Sequence, residues 1–364
     1  MRCCLEDDWG NPSSAHRTGI AARRRLDLAR NSVASLLGCE QREIVFTSGG
    51  TEAANLAIGG AFQRIHASNP KRSLLACAGT EHPAVLDSLH RLQSAGAEVV
   101  SLAVDENGVV DQSFFEQLLS ERGDQLALCS VMWANNETGV IQPIANLGKR
   151  CREHGVVFHT DAVQWVGRES TCFRELPIDL LSCSAHKFHG PKGAGALVVR
   201  KGLPIEPSQL GGPQERERRG GTENVAALAG FGTACDLAAD WLSQRDLRQQ
   251  LEIRERFESK LLALHEGAVI NASLAPRLWN TTNIAFPGLE AQMLVVILSE
   301  RGLAVSGGAA CASGSIEVSG VLGAMGLDPQ RAAGSLRLSL SRYTSEDDLE
   351  TAIEIFKSVL ELTR

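Results

Sequence analysis

The chain has 364 residues, 43% of them hydrophobic, and a formal net charge of −7. This length allows a sizeable core and one large or two ordinary domains, and the mild acidity argues against binding to nucleic acid or to a membrane surface. The ten cysteines are scattered and form no Cys-x-x-Cys pair, so the sequence indicates no disulfide framework and no metal site. Free thiols, the lack of an apolar signal core and the lack of an apolar run long enough to span a bilayer predict a cytoplasmic protein.

Strands and helices alternate up to about Arg200. The predicted strands are Glu43–Phe46, Leu74–Ala78, Glu98–Leu102, Leu126–Trp133, Val156–Thr160, Leu180–Ser184 and Ala194–Val199. The predicted helices are Thr51–Phe62, Ala84–Ala95, Gln112–Glu121 and Ile144–His154. Several of the strands are apolar throughout, as expected when helices cover both faces of a sheet. Repeated units of this kind predict a mostly parallel sheet with right-handed crossovers.

The pattern changes after Arg200. Residues 211–224 are rich in glycine and arginine and predict a loop, and residues 224–264 read as an almost continuous helix that could bridge two domains. The strands predicted for a second, smaller sheet are Thr282–Phe286, Leu303–Ser306 and Ser335–Leu340. A closing helix follows over 345–362, with Ser345 as its cap and Asp348 three residues later. We therefore predict an α/β protein in which residues 13–236 form a large domain and residues 1–12 and 237–364 a small one.

The stretch 180–193 combines an apolar strand, small polar residues, a His-Lys pair and a Gly-Pro-Lys-Gly turn. Lys187 therefore lies at a strand end among apolar and small neighbours, where desolvation lowers the pKa of an amine and prepares it to form a Schiff base. Pyridoxal phosphate (PLP) binds such lysines and needs a partner for its pyridine nitrogen, for which Asp161 on the preceding strand is a candidate. Alternatively, Lys187 is a solvated loop lysine and Asp161 caps a helix.

The segment 46–52, Phe-Thr-Ser-Gly-Gly-Thr-Glu, supplies a strand, a Gly-Gly turn and a helix start. Backbone N–H groups at a helix start, with hydroxyls nearby, are what a phosphate requires. The segment has no Walker lysine and no G-x-G-x-x-G spacing, which argues against a P-loop or a Rossmann site. An ordinary turn with a threonine cap would have the same sequence.

Cys311 lies among glycine and other small residues, from Ser306 to Ser315, that cannot build a rigid apolar core. We therefore expect an exposed, movable cysteine that suits a nucleophile. The other nine cysteines are expected to be inert core residues, including Cys183, which lies close to Lys187 within an apolar strand.

Several motifs occur together and in a specific order. They are Ser-Gly-Gly-Thr-Glu at 48–52, Thr-Glu-His at 80–82, Asn-Asn-Glu at 135–137, Asp-Ala-x-Gln at 161–164, Ser-x-His-Lys at 184–187 and the Gly-Gly-Ala-Ala-Cys loop at 307–311. With Asn-Pro-Ser-Ser-Ala-His at 11–16 and Arg-Arg-Gly-Gly-Thr at 218–222, this set resembles the cysteine desulfurases. These are PLP enzymes of the class V aminotransferase superfamily with PLP fold type I, which implies a large domain with a mostly parallel central sheet and a smaller α+β domain. The segment 311–326 is similar to that of the group with the longer cysteine loop.

One part of the resemblance is incomplete. Family members usually carry a strand and an Asn-Ala-Ala-Thr-Thr-Pro-like segment upstream of the Asn-Pro-Ser-Ser match, whereas only Met1 to Trp9 precede Gly10 here. That segment normally packs against the small domain near the substrate entrance, so the expectation of substrate closure does not carry over from the resemblance, whereas that of the PLP site does.

The resemblance implies roles for the matched residues. Lys187 would carry PLP as the internal aldimine and later move the Cα proton, and Asp161 would keep the pyridine nitrogen protonated. His82 would stack on the ring and act as an acid or base, although a histidine that caps a helix before Pro83 would look the same. Gln164 and Asn136 would contact the ring oxygen or the substrate. The phosphate ligands would be Gly50, Thr51, Ser184, His186 and, from the neighbouring subunit of a homodimer, Thr222.

Arg337 is the candidate for the substrate carboxylate, because a guanidinium on a strand suits bidentate pairing. A surface charge is the alternative; in either case Leu336 and Leu338 would face the core while Arg337 faces solvent or a cleft.

The implied reaction converts L-cysteine to L-alanine. The Cys311 thiolate would take the substrate sulfur as a persulfide, and loop movement would present it to an acceptor protein such as an iron–sulfur scaffold or a tRNA-thiolation enzyme. Two alternatives stay open. One keeps PLP but makes the protein a selenocysteine lyase or a class V aminotransferase, and the other is a non-enzymatic scaffold in sulfur transfer. The intact set of catalytic positions argues against the scaffold.

Overall fold

A computed structural model describes residues 1–307 and 319–362. The chain forms two compact units. The first unit consists of Met1–Leu102, Gln112–Trp133 and Pro143–Arg245, and the second of Ala103–Asp111, Ala134–Gln142 and Asp246–Arg364. Residues 1–12 thus belong to the first unit, whereas the sequence analysis assigned them to the small domain. The predicted division into 13–236 and 237–364 stays a prediction.

The first unit is built on a seven-stranded sheet of order β1-β7-β6-β5-β4-β2-β3. Its strands are β1 (Ile44–Thr47), β2 (Leu74–Ala78), β3 (Glu98–Leu102), β4 (Leu126–Ser130), β5 (Val157–Asp161), β6 (Leu180–Ser184) and β7 (Gly195–Val199). The pairs from β3 to β6 are parallel, and β7 is antiparallel to both β6 and β1, so every strand except β7 runs in one direction. All strands but β3 are buried along their length or nearly so, which confirms the prediction of a mostly parallel sheet covered on both faces.

Helices surround this sheet. They are α1 (Arg2–Glu6), α2 (Arg17–Leu37), α3 (Gly50–Asn55), α4 (Ala61–Ser68), α5 (Pro83–Ser94), α6 (Gln112–Arg122), α7 (Ile144–Glu153), α8 (Gln214–Glu217) and α9 (Val225–Gln244). A π turn over Leu56–Gly60 joins α3 to α4 without leaving helical backbone. The sequence reading missed α2, although His16 caps its start and Gly38 ends it in the left-handed conformation that glycine favours.

By length and composition alone, helix α9 is long and apolar enough to cross a membrane. This finding corrects the expectation that the chain has no apolar run of sufficient length. It packs against α2 in the first unit. A Cβ added to Gly232 would lie 2.8 Å from the Cα of Ala29, so the two helix backbones approach closely. This face of α9 includes the buried Leu228 and Phe231.

The second unit has a four-stranded antiparallel sheet of order β10-β11-β9-β8. Its elements are α10 (Leu247–Leu262), β8 (Val269–Ile270), β9 (Thr281–Ala285), α11 (Ala291–Glu300), β10 (Ser306–Gly307), α12 (Gly320–Ala324), α13 (Pro329–Ala333), β11 (Ser335–Ser339) and α14 (Glu346–Leu362). Phe257, Phe286 and Phe356 lie in its core. The cap of α14 is as predicted, because Ser345 and Asp348 each accept the other's backbone N–H.

Three sequence expectations are wrong in detail. The predicted 224–264 helix breaks between α9 and α10, where Arg245 is extended and the carboxylate of Asp246 accepts the N–H groups of the new helix start. The predicted strand 303–306 is reduced to β10. The predicted loop 211–224 contains the short α8, in which Glu215 and Arg216 have left-handed backbone.

Candidate active site

The candidate residues of the first unit lie at the edge of the sheet where its parallel strands end. Asp161 is the last residue of β5 and Ser184 the last residue of β6. A 3₁₀ turn that contains His186 and Lys187 follows β6 directly. Because β1 and β2 run in the same direction, the Gly-Gly turn before α3 and the segment that leads to His82 leave the sheet at the same edge. In an open α/β sheet this edge is where ligands bind.

Asp161 is a buried acid at this edge. Burial raises its pKa, and three features oppose the rise: the Val163 N–H, which donates to its Oδ1 at 2.9 Å, and the charges of His82 and Lys187. A carboxylate that has lost hydration in this way gains most from a nearby cationic group. The environment therefore fits a partner for a protonated ring nitrogen.

The residues expected to hold a phosphate are arranged around the start of α3. The hydroxyl of Ser184 lies 2.9 Å from Nδ1 of His186. Partial burial, and then the charges of Lys187 and Lys192, lower the pKa of His186. A Cβ added to Gly50 would lie 2.6 Å from a methyl group of Val163, so the chain needs glycine to enter the helix there. Backbone N–H groups and hydroxyls of this kind are suited to a phosphate.

Thr51 lies next to this turn in sequence, and Thr222 lies close to it in space. Thr51 is exposed in the first turn of α3. Glu52, the next residue, accepts the Ser48 N–H at 2.8 Å and pairs with Arg219 at 2.9 Å. Thr222 and Ser48 line one pocket of the first unit, so the 218–222 segment reaches this chain's own β1–α3 turn.

His82 caps α5, as the alternative interpretation of the His-Pro pair expected. Its Nδ1 accepts the Ala84 N–H at 3.1 Å, and Pro83 is the first helical residue. An accepting Nδ1 places the proton of a neutral imidazole on Nε2. The cap therefore fixes the tautomer and orientation of a ring that is only partly buried and can still meet a ligand.

In the second unit, Arg337 on β11 has the orientation that the alternation predicted, because Leu336 and Leu338 are buried on the other side of the strand. Its Nη1 donates to the carbonyl of Asn136 at 2.9 Å and its Nη2 to the hydroxyl of Ser306 at 3.0 Å. Burial lowers the pKa of Arg337, and the Glu137 charge opposes this.

Two buried polar atoms, one on Arg337 and one on Asn136, lack hydrogen-bond partners among the described residues. Within residues 1–307 and 319–362, the Nε of Arg337 and the Oδ1 of Asn136 are buried without a hydrogen-bond partner. Buried polar atoms without partners are rare and costly in folded proteins. Two of them on the residues expected to bind substrate fit a polar ligand such as an amino acid.

Cys311 lies outside the described residues, as do residues 311–318, the first half of the segment 311–326 that resembles a long cysteine loop. Of the other nine cysteines, Cys3 is exposed and Cys172 partly exposed, and the remaining seven are buried. Cys183 is fully buried, as expected, and burial raises its pKa to about 12. A thiol with such a pKa is a poor nucleophile at neutral pH.

The sequence analysis did not identify a group of polar residues that lies within the strands, close to their ends. His159 lies between Ser130 and Ser182, with its Nδ1 2.8 Å and its Nε2 2.9 Å from their hydroxyls. Burial lowers the pKa of His159 to about 3, so the imidazole is neutral. His159 precedes Asp161 by two residues and therefore shares its face of the strand, a signal that the alternation of β-strands offered.

Glu81, in the Thr-Glu-His motif at 80–82, is a second buried acid at this edge of the sheet. It is buried, accepts the Met132 N–H at 2.6 Å, and its Oε2 has no partner in the part of the chain that the structure describes. Burial, and then the charge of Asp161, raise the pKa of Glu81 well above its usual range.

Comparisons with known proteins identify the family of this chain. The family model described as aminotransferase class-V matches residues 2–351. A cysteine desulfurase from Nostoc sp. is 41% identical over 360 residues, which cover 99% of this chain and 88% of that protein. Among solved structures, a NifS-like protein matches at 34% identity with a TM-score of 0.90, covering 99% of this chain and 94% of that one. A structure titled SspA in complex with cysteine matches at 31% identity with a TM-score of 0.79, covering 94% of each chain.

The chain belongs to the class V aminotransferase family and has its α/β fold, PLP fold type I. Within that family it groups with the cysteine desulfurases, which confirms the resemblance seen in its motifs.

Proposed function

We propose that the protein is a PLP-dependent enzyme that converts L-cysteine to L-alanine and keeps the sulfur as a persulfide on Cys311. The observation that carries the proposal is the meeting of Asp161, Ser184 and the Lys187 turn at the ends of neighbouring parallel strands. Bound PLP would supply an electron sink for the Cα–H bond of an amino acid. The similarity to cysteine desulfurases makes cysteine the first substrate to examine.

The residues of the first unit would hold the cofactor. Asp161 would pair with its ring nitrogen, Lys187 would bind its aldehyde carbon, and His82 would stack on its ring. Gly50, Thr51, Ser184 and His186 would bind its phosphate, and Gln164 its ring oxygen. The Lys187 amine would also act as the base that moves the Cα proton of the bound amino acid.

The residues of the second unit would recognise the amino acid. Arg337 would bind the α-carboxylate with its unpaired Nε and one Nη, and the Oδ1 of Asn136 would accept a hydrogen bond from the ligand. A planar guanidinium that has already lost part of its hydration binds a carboxylate more strongly than a solvated one.

The sulfur step would use the Cys311 thiolate as nucleophile. Its sulfur forms an S–S bond with the substrate sulfur, and the substrate C–S bond breaks. The electron pair of that bond remains with the carbon skeleton, which gains a proton and leaves as L-alanine. Cysteine and the enzyme thiol thus become alanine and an enzyme persulfide, with no external oxidant or reductant.

The test is product formation by the wild type and by Cys311→Ser. The wild type should release one alanine per cysteine and should carry one extra sulfur atom on the Cys311 peptide in mass spectrometry. Cys311→Ser should bind PLP as the wild type does and form neither product. Alanine and sulfide formed by Cys311→Ser at the wild-type rate would remove Cys311 from the mechanism. Turnover of selenocysteine but not of cysteine by Cys311→Ser would favour a selenocysteine lyase.

We further propose a homodimer in which Thr222 reaches the phosphate of the neighbouring subunit. Mixing Lys187→Ala with Thr222→Ala chains gives heterodimers that hold one doubly substituted site and one intact site if the site is shared. Activity regained after re-equilibration would support the shared site. If no activity returns, the site is complete within one chain, as the proximity of Thr222 to this chain's own Ser48 would then allow.

The remaining proposals concern the cell. We propose a cytoplasmic enzyme whose persulfide passes to an acceptor protein, either an iron–sulfur scaffold or a tRNA-thiolation enzyme. Release of labelled sulfur from the enzyme to each purified acceptor, compared with its release to a small thiol, would distinguish these routes.

A further inference from the structure

The turn after β5 lies directly against the turn that carries Lys187. Gly167 has a φ of +77°, and a Cβ added there would lie 2.6 Å from the Cβ of Phe188. No larger residue fits without moving one of the two turns. The segment that begins at Asp161 therefore packs against the residue that follows Lys187.

Arg168 joins the same two turns through hydrogen bonds. Its Nη1 donates to the carbonyl of Gln164 at 2.6 Å, and its Nη2 donates to the carbonyl of Lys187 at 3.0 Å. Hydrogen bonds from a charged donor are stronger than those between neutral groups. One side chain thus spans the segment of the ring-nitrogen partner and the backbone of the candidate cofactor lysine.

Arg168 is itself held in place by the residue that ends α9. Arg245 donates to the carbonyl of Arg168 and forms an ion pair with Glu169, both partners of which are almost buried. The Arg245 guanidinium also packs over the ring of Trp241, 5.2 Å from its centroid. The backbone at Arg168 is therefore fixed, which limits where its side chain can reach.

We propose that Arg168 is a positioning residue of the cofactor site. By binding the carbonyls of Gln164 and Lys187 together, it sets the distance and direction from Asp161 at which the Lys187 side chain starts. The proposal rests on the proposed PLP site, because the distance from lysine to ring-nitrogen partner matters only if one cofactor contacts both.

Arg200 provides a matched control in the same unit. Its guanidinium also binds backbone carbonyls, those of Ile178 at 2.6 Å, Leu176 at 2.7 Å and Phe173 at 3.0 Å, but it holds none of the candidate cofactor residues. Both arginines are partly buried. Replacement of either by alanine should therefore weaken the fold to a similar extent.

The first measurement uses the protein without cofactor. Hydrogen exchange followed by mass spectrometry should show faster exchange in Arg168→Ala in two peptides, one covering 162–168 and one covering 185–190. Arg200→Ala should leave both peptides at the wild-type rate. If the 185–190 peptide of Arg168→Ala exchanges as in the wild type, Arg168 does not hold the lysine turn and the proposal is wrong.

The second measurement adds PLP. Arg168→Ala should bind PLP about tenfold more weakly than Arg200→Ala, and the pH at which its visible absorption band titrates should move away from the wild-type value. Arg168→Lys, which keeps the charge but not the fork, should recover part of both effects. Gly167→Ala, which crowds Phe188, should move the same band without removing a charge.

The outcomes separate the two proposals. A wild-type protein that binds no PLP overturns the proposed function and this role with it. Normal wild-type binding together with equal PLP affinity and equal spectra for Arg168→Ala and Arg200→Ala overturns the positioning role alone. If Arg168→Ala does not fold, Arg168→Lys and Gly167→Ala decide the same question, because unchanged spectra in both would contradict the proposal.

Discussion

The two compact units build their candidate sites in different ways. In the first unit, Asp161 and Ser184 are the final residues of adjacent strands, and the parallel sheet alone brings them to one edge. In the second unit, Arg337 lies within a strand and depends on Asn136, which is 201 residues away in the chain. A parallel sheet thus collects sequence-local motifs, whereas the small antiparallel sheet orients one side chain through distant contacts.

The two candidate ligand-binding charges differ in sign. Burial raises the pKa of Asp161 in the first unit and lowers that of Arg337 in the second, so both candidate charges are partly desolvated. A cationic ring nitrogen would satisfy the acid and a carboxylate would satisfy the base. We therefore expect substitutions in the first unit to change cofactor binding and substitutions at Arg337 to change only substrate binding.

The largest effect should come from Lys187→Ala. Loss of the amine removes both the covalent link to PLP and the base, so turnover of cysteine should fall below detection while the phosphate contacts retain some PLP. Turnover and bound PLP after dialysis are the measurements. Lys201→Ala, an exposed lysine that follows β7, is the control and should behave as the wild type. An inactive Lys201→Ala with an active Lys187→Ala would contradict the assignment.

Arg337→Ala tests the other side of the comparison. Removing one partner of a desolvated charge pair costs about 2–5 kcal/mol, so kcat/KM for cysteine should fall about 30- to several-thousand-fold. PLP affinity should not change, and Arg337→Lys should recover only part of the loss because an ammonium lacks the planar fork. Loss of PLP from Arg337→Ala would contradict the assignment of cofactor binding to the first unit and of substrate binding to the second. Arg342 and Arg219 would then be the candidates for binding the substrate carboxylate.

A pH effect on stability should come from His159 in the first unit. Its pKa is about 3 in the folded protein and about 6.5 when unfolded, so the unfolded chain takes up the proton first as the pH falls. This group therefore contributes stability above pH 6.5 that is lost progressively toward pH 3. Between pH 7 and pH 5 its share of the loss is about 2 kcal/mol.

Urea unfolding at the two pH values, for the wild type and His159→Asn, measures this share. The wild type should lose about 2 kcal/mol more than the variant over this interval, since the variant has no imidazole to protonate. Equal losses in both proteins would mean that His159 is not held neutral by its burial between Ser130 and Ser182.

The smallest effect should come from Ser306→Ala. Its hydroxyl accepts one hydrogen bond from Arg337, so its loss should leave the guanidinium less well oriented and raise KM for cysteine about two- to tenfold. The value of kcat and the PLP affinity should stay close to those of the wild type. Ser339→Ala, at an exposed position of β11, the strand that carries Arg337, is the control. Equal KM values for the two variants would mean that Ser306 does not orient Arg337.

The sequence predicted the first unit well because its signals are local. Apolar runs marked β2, β3 and β6 at their true bounds, and the polar residues that follow the strands identified the candidate site. Helix α2 was missed although its cap and its apolar spacing were readable. The π turn inside the predicted 51–62 helix has no comparable signal, because its backbone stays helical throughout.

Contacts between distant residues could not be predicted. Nothing in the sequence says that Arg168 reaches the carbonyl of Lys187, because a hydrogen bond to a carbonyl carries no side-chain signature on the accepting residue. The same holds for Arg337 and the carbonyl of Asn136. The break between α9 and α10 was missed because Arg245 and Asp246 are compatible with a helix in isolation.

The most direct test of the account is the chemical position of the cofactor. Wild-type protein loaded with PLP is reduced with borohydride, digested, and its peptides are sequenced by mass spectrometry. The account predicts one pyridoxyl adduct, on Lys187 at the edge where β5 and β6 end. An adduct on Lys192, Lys201 or any other lysine would contradict it, because Asp161 would then have no cofactor within the first unit's candidate site to pair with.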